Sequence, residues 1–213
     1  MDDECVDQMV NADNLRMAQT WGDMIDMPIT AEEQQTAVHR EKGNKAPGHD
    51  GIGMDFFKKN WNIIKDNMLI MFNQMYSTGN IKEQQKHGIA VCIPKTTAPK
   101  TPADYRPITL LNTDYKILGR IIASRLQPIL AELLHPSQHG GMEGGGIFDA
   151  VATVRDAIVY AEKTQTPLCV RSLDYTETFD RISHTYLFKL LSVYGFSTQF
   201  TTFTKTMYVQ AYS

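Results

Sequence analysis

The sequence is short of several things, and each shortage closes off a class of protein. Among 213 residues there are three cysteines, Cys5, Cys92 and Cys169, far apart and in no C-x-x-C pair. That spacing offers neither a disulfide framework nor a zinc site. Cys92 and Cys169 sit inside apolar, strand-like runs and are expected to be buried thiols. No apolar run approaches the roughly 20 residues that a membrane helix needs, and no signal peptide opens the chain. An intracellular protein, in the nucleus or cytoplasm and away from membranes, is the expectation. Internal repeats and low-complexity tracts are missing too. The net charge is only −3, which taken alone argues against a nucleic-acid binder.

The distribution of charge says something different. Residues 1–40 hold nine acids against two bases, a net of −7. Residues 81–125 hold eight bases (Lys82, Lys86, Lys95, Lys100, Arg106, Lys116, Arg120, Arg125) against Glu83, Asp104 and Asp114, a net of +5. A basic surface facing phosphates and a set of solvated helix faces both fit that asymmetry. Hydrophobic residues make up 42% of the chain, enough for one sizeable core or two small lobes.

Residues 1–28 read as an acidic leader or linker, with weak helical periodicity around Leu15 to Met24. Thr30-Ala31-Glu32-Glu33 then fits a capping box ahead of a short helix to about Arg40. Lys42 to Gly53 is dense in turn formers. It reads either as a phosphate cradle, though without the Gly-Lys-Ser/Thr ending of a P-loop, or as a structured turn between helices. From Asp55 to Thr78, Phe57, Trp61, Ile64, Met68, Phe72 and Met75 recur at helical spacing and predict a long core helix closed by Gly79.

Ile89 to Ile93 is a β-compatible run, and Tyr105 to Leu111 reads as its returning strand. Lys95 and Arg106 fall near the two strand ends, a plausible clamp for polyphosphate or a nucleic-acid backbone. A helix follows from Asn112, with Thr113 as N-cap; Pro128 breaks or restarts it, and Ile129 to Leu134 packs as a second piece. The Gly-rich stretch from His135 to Gly146 allows close backbone approach or only a flexible loop; His135 and His139 make a weak metal motif. Phe148 to Ala161 predicts a helix with Val151, Val154, Ile158 and Ala161 inward. Leu168 to Leu173 predicts a strand carrying Asp174 at its end, where a carboxylate suits metal binding, acid/base work or a turn. Ser183 caps a further helix, stopped by Gly195, and the residues from Phe196 to Ser213 begin a last helix with Phe200, Phe203 and Met207 as its stripe.

The order of these segments resembles a known family. KAPGHDGI at 45–52, IPK at 93–95, YRPITLLNTDYKILGRIIASRL at 105–126, SQHGG at 137–141 and LDYTETFDRISHTYLFKLLSVYGF at 173–196 resemble the N-terminal half of the reverse-transcriptase domain of LINE-type (non-LTR) retrotransposons. The resemblance implies an α+β fold: a portion of a right-hand polymerase, mostly helical with short antiparallel strands. It implies fingers over residues 29–165 and the start of an incomplete palm over 166–213. It also implies RNA-templated DNA synthesis, with an RNA template, a DNA primer, deoxynucleoside triphosphates and Mg²⁺ as partners.

By position, Asp174 matches the first metal-binding, catalytic aspartate of the palm. Lys95 and Arg106 match fingers cations that grip the triphosphate. Glu177, Thr178 and Phe179 match the nucleotide-binding turn, Phe179 at the position that excludes a 2′-hydroxyl. Lys116, Arg120 and Arg125 are candidates for template contact. The sequence departs from the family pattern at Thr178, usually a small residue, at Gly141, commonly aromatic, and in the glycines of GGMEGGG. The aromatic-x-Asp-Asp segment that completes the metal site is missing, the one Asp-Asp pair being Asp2-Asp3. Two readings follow: a piece of a retrotransposon polymerase, inactive alone, or a non-catalytic remnant that binds nucleic acid or protein. A metal- or phosphate-binding domain resting on the glycines and His135/His139 explains none of the segment order.

Overall fold

The computed structural model of the chain describes residues 17–174 and 181–208. The described residues form helices and one two-stranded antiparallel sheet. Contacts divide the chain into two compact units, one holding Gln19–Arg125 with the segment from Phe196 onward, the other holding Leu126–Gly195.

In the larger unit the order is α1 (Gln19–Asp26), α2 (Ala31–Arg40), α3 (Met54–Thr78), α4 (Glu83–Lys86), β1 (Gly88–Pro94) and β2 (Tyr105–Leu111), the two strands joined through a 3₁₀ turn at Pro102–Asp104. The first part of α5 (Thr113–Leu133) and α8 (Thr198–Tyr208) complete it. Helix α1 lies within the stretch read as a leader and buries Ile25 completely.

Helix α2 starts where its capping box dictates. The Thr30 hydroxyl accepts from the Glu33 amide at 3.2 Å, and the Glu33 carboxylate accepts the Thr30 amide at 2.8 Å. Two orphan helix donors are thereby satisfied. Helix α3 buries Phe57, Trp61, Met68, Phe72 and Met75 of the predicted stripe, Ile64 being half-buried, and ends at Gly79 in the left-handed conformation (φ 64°), a site glycine occupies without steric cost. Helices α2 and α8 pack against α3. Phe200 and Phe203 of α8 fill the core, with the Phe203 ring edge-on to Tyr76 at 4.9 Å. Ile117, Leu118, Ile121 and Ile122 of α5 are buried as well.

Helix α5 continues through Pro128 to Leu133, where the sequence predicts a break. Proline forfeits one backbone hydrogen bond but its fixed φ is helical, and burial of Ile129 and Leu133 just beyond it offsets the loss. The helix also begins differently from expectation. Asn112 takes the capping position, its carbonyl accepting the Lys116 amide, while the Thr113 hydroxyl donates to the Ile52 carbonyl at 2.7 Å.

The second unit contains the end of α5, the glycine loop, α6 (Ile147–Thr164), the segment after it and α7 (His184–Val193). Gln127 ties the glycine loop to α5, donating to the Gly141 carbonyl and accepting the Glu143 amide. Ser183 caps α7 as predicted, and Gly195 follows its end with φ 91°. Two expectations fail here. Helix α6 forms, but none of its residues is buried; Val151, Val154 and Ile158 are exposed, and among the described residues no element of the unit covers them. Residues 167–174 form no strand, and Leu168, Val170 and Leu173 are exposed. A strand needs a ladder partner, and among the described residues β1 and β2 are the two strands and pair with each other. The same exposure extends to the cysteines: Cys92 and Cys169 are free, surface thiols, not buried ones.

Candidate nucleotide and nucleic-acid site

The β1–β2 hairpin is in the register Gly88↔Leu111 through Ile93↔Arg106 to Pro94↔Tyr105. Directly opposed residues share a face and alternate residues switch faces. Ile89, Val91, Ile93, Arg106, Ile108 and Leu110 therefore lie on one face, and the four β-branched residues among them are exposed. The ladder extends one bond further, from the Lys95 amide to the Asp104 carbonyl at 2.7 Å. Lys95 is thus a diagonal neighbour of Arg106, a spacing of about 7–8 Å across a strand pair. The hairpin brings these two cations together at its loop end, as the sequence predicts.

Asp104 builds the loop between them. Its carboxylate accepts the amides of Lys100 and Thr101 at 2.9 and 2.8 Å and the Thr101 hydroxyl at 3.0 Å. Those bonds, the Lys100 amide first, with a smaller contribution from the Lys95 charge, hold its carboxyl below the usual carboxylate range. The Lys95 ammonium donates to the Ala103 carbonyl at 2.9 Å. The Arg106 guanidinium is exposed and has no side-chain hydrogen bond among the described residues. Sequence reasoning counts Asp104 merely as a negative charge; the Thr-x-x-Asp spacing at 101–104, a capping pattern, is the signal for its role.

The three arginine and lysine candidates on α5 divide sharply. Lys116 is partly exposed. Arg120 pairs with Glu41, its Nε 2.6 Å from Oε1. Arg125 corrects the expectation of template contact: it is 7% exposed and spends its donors inside the protein. It donates to both Glu33 oxygens at 2.6 and 2.8 Å and to the carbonyls of Ile25, Met27 and Pro28. An arginine in the middle of an apolar helix face reads as basic from sequence, but burial is tolerable once its fork is fully paired.

Lys42 to Gly53 is a structured turn. Asn112, buried, accepts the Asp50 amide on its Oδ1 and donates from Nδ2 to the Gln84 carbonyl. Gly48 packs so tightly here that a Cβ would lie 2.5 Å from the Asn112 nitrogen. With the loop anchored to protein groups in this way, the phosphate-cradle alternative has no observation behind it.

Asp174 belongs to the second unit, exposed and on no strand. Glu177, Thr178 and Phe179 lie outside the described residues. Mg²⁺ takes an octahedron of oxygens, usually including one or two carboxylates. Among the described residues no group of three or more His, Cys, Asp or Glu side chains is placed to hold a metal. Asp174 is the described residue that the sequence assigns to the expected metal site.

Residues 93–212, more than half of the chain, match the family model described as reverse transcriptase (RNA-dependent DNA polymerase). The chain belongs to the reverse transcriptase family. Its relatives include an uncharacterized 149 kDa protein of transposon TX1 from Xenopus laevis, 34% identical over 88% of this chain and 14% of the relative. A retrovirus-related Pol polyprotein from the type-2 retrotransposable element R2DM of Drosophila melanogaster is 27% identical over 83% of the chain and 16% of its own length. A probable RNA-directed DNA polymerase from transposon X-element, also of Drosophila melanogaster, is 32% identical over 75% of the chain and 18% of its own length. These names bear out the resemblance to retrotransposon reverse transcriptases. The chain spans about a sixth of the length of these curated relatives. No helix among the described residues is long and apolar enough to cross a membrane.

Proposed function

We propose that this chain supplies the fingers and the start of the palm of a retrotransposon reverse transcriptase, the right-hand polymerase fold in which RNA-templated DNA synthesis takes place. The division into fingers over 29–165 and palm from 166 is part of this reading. The observation that carries it is the hairpin register, which sets Lys95 and Arg106 side by side beyond an apolar face. Paired cations at a hairpin end suit the triphosphate of a deoxynucleotide, and the planar guanidinium of Arg106 grips two phosphate oxygens at once. Lys116 and, through exchange of its Glu41 partner, Arg120 contact template backbone. Glu177, Thr178 and Phe179 line the nucleotide, and Asp174 contributes one carboxylate to Mg²⁺. When bound with its full ligand set, the metal supplies charge stabilisation at the reacting phosphate.

The test is fluorescence anisotropy of the purified chain with a labelled RNA template–DNA primer duplex. Binding at about 50 mM salt that weakens linearly in log–log form with added salt is expected. Lys116→Ala lowers the slope by about one contact. An absence of binding at low salt would count against the reading.

A second reading, nucleic-acid binding without catalysis, is favoured by Asp174, which stands on no strand beside exposed Leu168, Val170 and Leu173. It predicts that Asp174→Ala leaves RNA affinity unchanged and that the chain does not extend a primer given Mg²⁺ and all four deoxynucleotides. Primer extension by the chain would refute it.

A further inference from the structure

Helix α3 carries a second apolar stripe, on the side facing away from the core. Phe56, Ile63 and Ile70 are 49%, 77% and 67% exposed. They are spaced by seven residues, so they stack into one seam about 21 Å long. At 100° per residue the seam lies opposite the buried line of Phe57, Trp61, Met68 and Phe72. Scattered single exposed apolar residues need no explanation, but three in register along one helix do.

The residues flanking the seam identify what covers it. Lys59 and Asp66, both exposed, border it on one side; Asn60 and Asn67 border it on the other. Neither Lys59 nor Asp66 has an ion-pair partner within the chain among the described residues. We propose that α3 pairs antiparallel with α3 of a second copy of this chain, on a two-fold axis through Ile63.

That axis sets residue 63 − k against residue 63 + k of the other copy. Phe56 then meets Ile70, and Ile63 meets itself. A two-fold perpendicular to the plane of the two helices keeps each flank on its own side. Lys59, four residues before the axis, therefore comes level with Asp66 of the second copy, three residues after it. The pairing occurs twice. On the opposite flank Asn60 faces Asn67 in the same way. A parallel pair would instead set the Lys59/Asp66 flank of one helix against the asparagine flank of the other, leaving the charges unpaired. The surface is self-complementary in one orientation, as an isologous interface must be. A seam of this length is at the small end of interface sizes, so association in the micromolar range is expected.

Size-exclusion chromatography with light scattering, run from about 5 to 200 µM, tests this. The chain should shift toward twice its monomer mass as concentration rises, and Ile63→Asp should hold it at monomer mass with an unchanged circular dichroism spectrum. Lys59→Glu, which sets like charges face to face, should weaken association at least threefold at low salt. Adding Asp66→Lys to that variant should restore it, a rescue that neither parallel pairing nor a general loss of folding produces. A chain that stays monomeric at 200 µM, a dimer indifferent to Ile63→Asp, or a double charge swap that fails to rescue would each overturn the proposal.

Discussion

Replacing Arg125 with alanine separates a buried structural role from a nucleic-acid role more cleanly than any other single change. All five N–H donors of its guanidinium are committed: two to Glu33 and three to the carbonyls of Ile25, Met27 and Pro28. Its Cζ also lies 5.9 Å from the centre of the Tyr76 ring, adding a weak cation–π attraction. These bonds fasten the end of α1, the start of α2 and the segment between them to α5. Breaking a buried ion pair by removing one partner costs about 3–5 kcal/mol. The Glu33 side chain is about a third exposed and recovers some hydration once abandoned, so the lower end, about 3 kcal/mol, is expected. Arg125→Lys keeps the charge but not the fork, and should lose about 1.5–2.5 kcal/mol. Equilibrium urea unfolding measures both, and a cycle with Glu33→Gln isolates the pair. RNA affinity of the folded fraction should not change. A stability loss under about 1 kcal/mol, or a fall in RNA affinity at unchanged stability, would refute the argument.

The same pair sets a pH dependence. Burial alone pushes the Glu33 carboxyl up, but hydrogen bonds from Arg125 and Thr30 and the Arg125 charge together outweigh it and hold the group below its ordinary value of 4.5. A lowered folded value means that the stabilisation is present above the unfolded value and is lost as pH falls through the folded one. Unfolding free energy should therefore drop as pH falls below the ordinary value of 4.5, and less so in Glu33→Gln. Gly48→Ala should destabilise by about 2–3 kcal/mol in urea unfolding, because the new methyl meets the Asn112 backbone and side chain rather than a flexible tip. Tyr76→Phe removes the hydroxyl that donates to the Ile25 carbonyl at 2.6 Å and should cost about 1–2 kcal/mol in the same assay.

What the sequence makes legible is what local chemistry decides. The Thr30–Glu33 box, the α3 stripe, the Gly79 stop and the strand pair around Lys95 and Arg106 all follow from residue types and spacing along one short stretch of chain. The misreadings share a different cause. Leu168–Leu173 has the composition of a strand, yet pairing is a property of two segments, and no second one meets it among the described residues. Val151, Val154 and Ile158 have the period of an inward face, but periodicity cannot say whether anything lies opposite. Arg125 reads as a surface cation because its acceptors come from a segment roughly a hundred residues away. Phe56, Ile63 and Ile70 are overshadowed in the sequence by the stronger core stripe on the same helix.

The measurement that bears most directly on the central claim is an equilibrium titration of the chain with a fluorescent deoxynucleoside triphosphate in the presence of template–primer. If Lys95 and Arg106 grip the triphosphate, Arg106→Ala should weaken binding by about 10- to 100-fold, the value of a lost charge-assisted contact. Arg106→Lys should recover only part of the affinity, and the corresponding monophosphate should bind both forms nearly alike. Equal triphosphate affinity for the unaltered chain and Arg106→Ala would contradict the account.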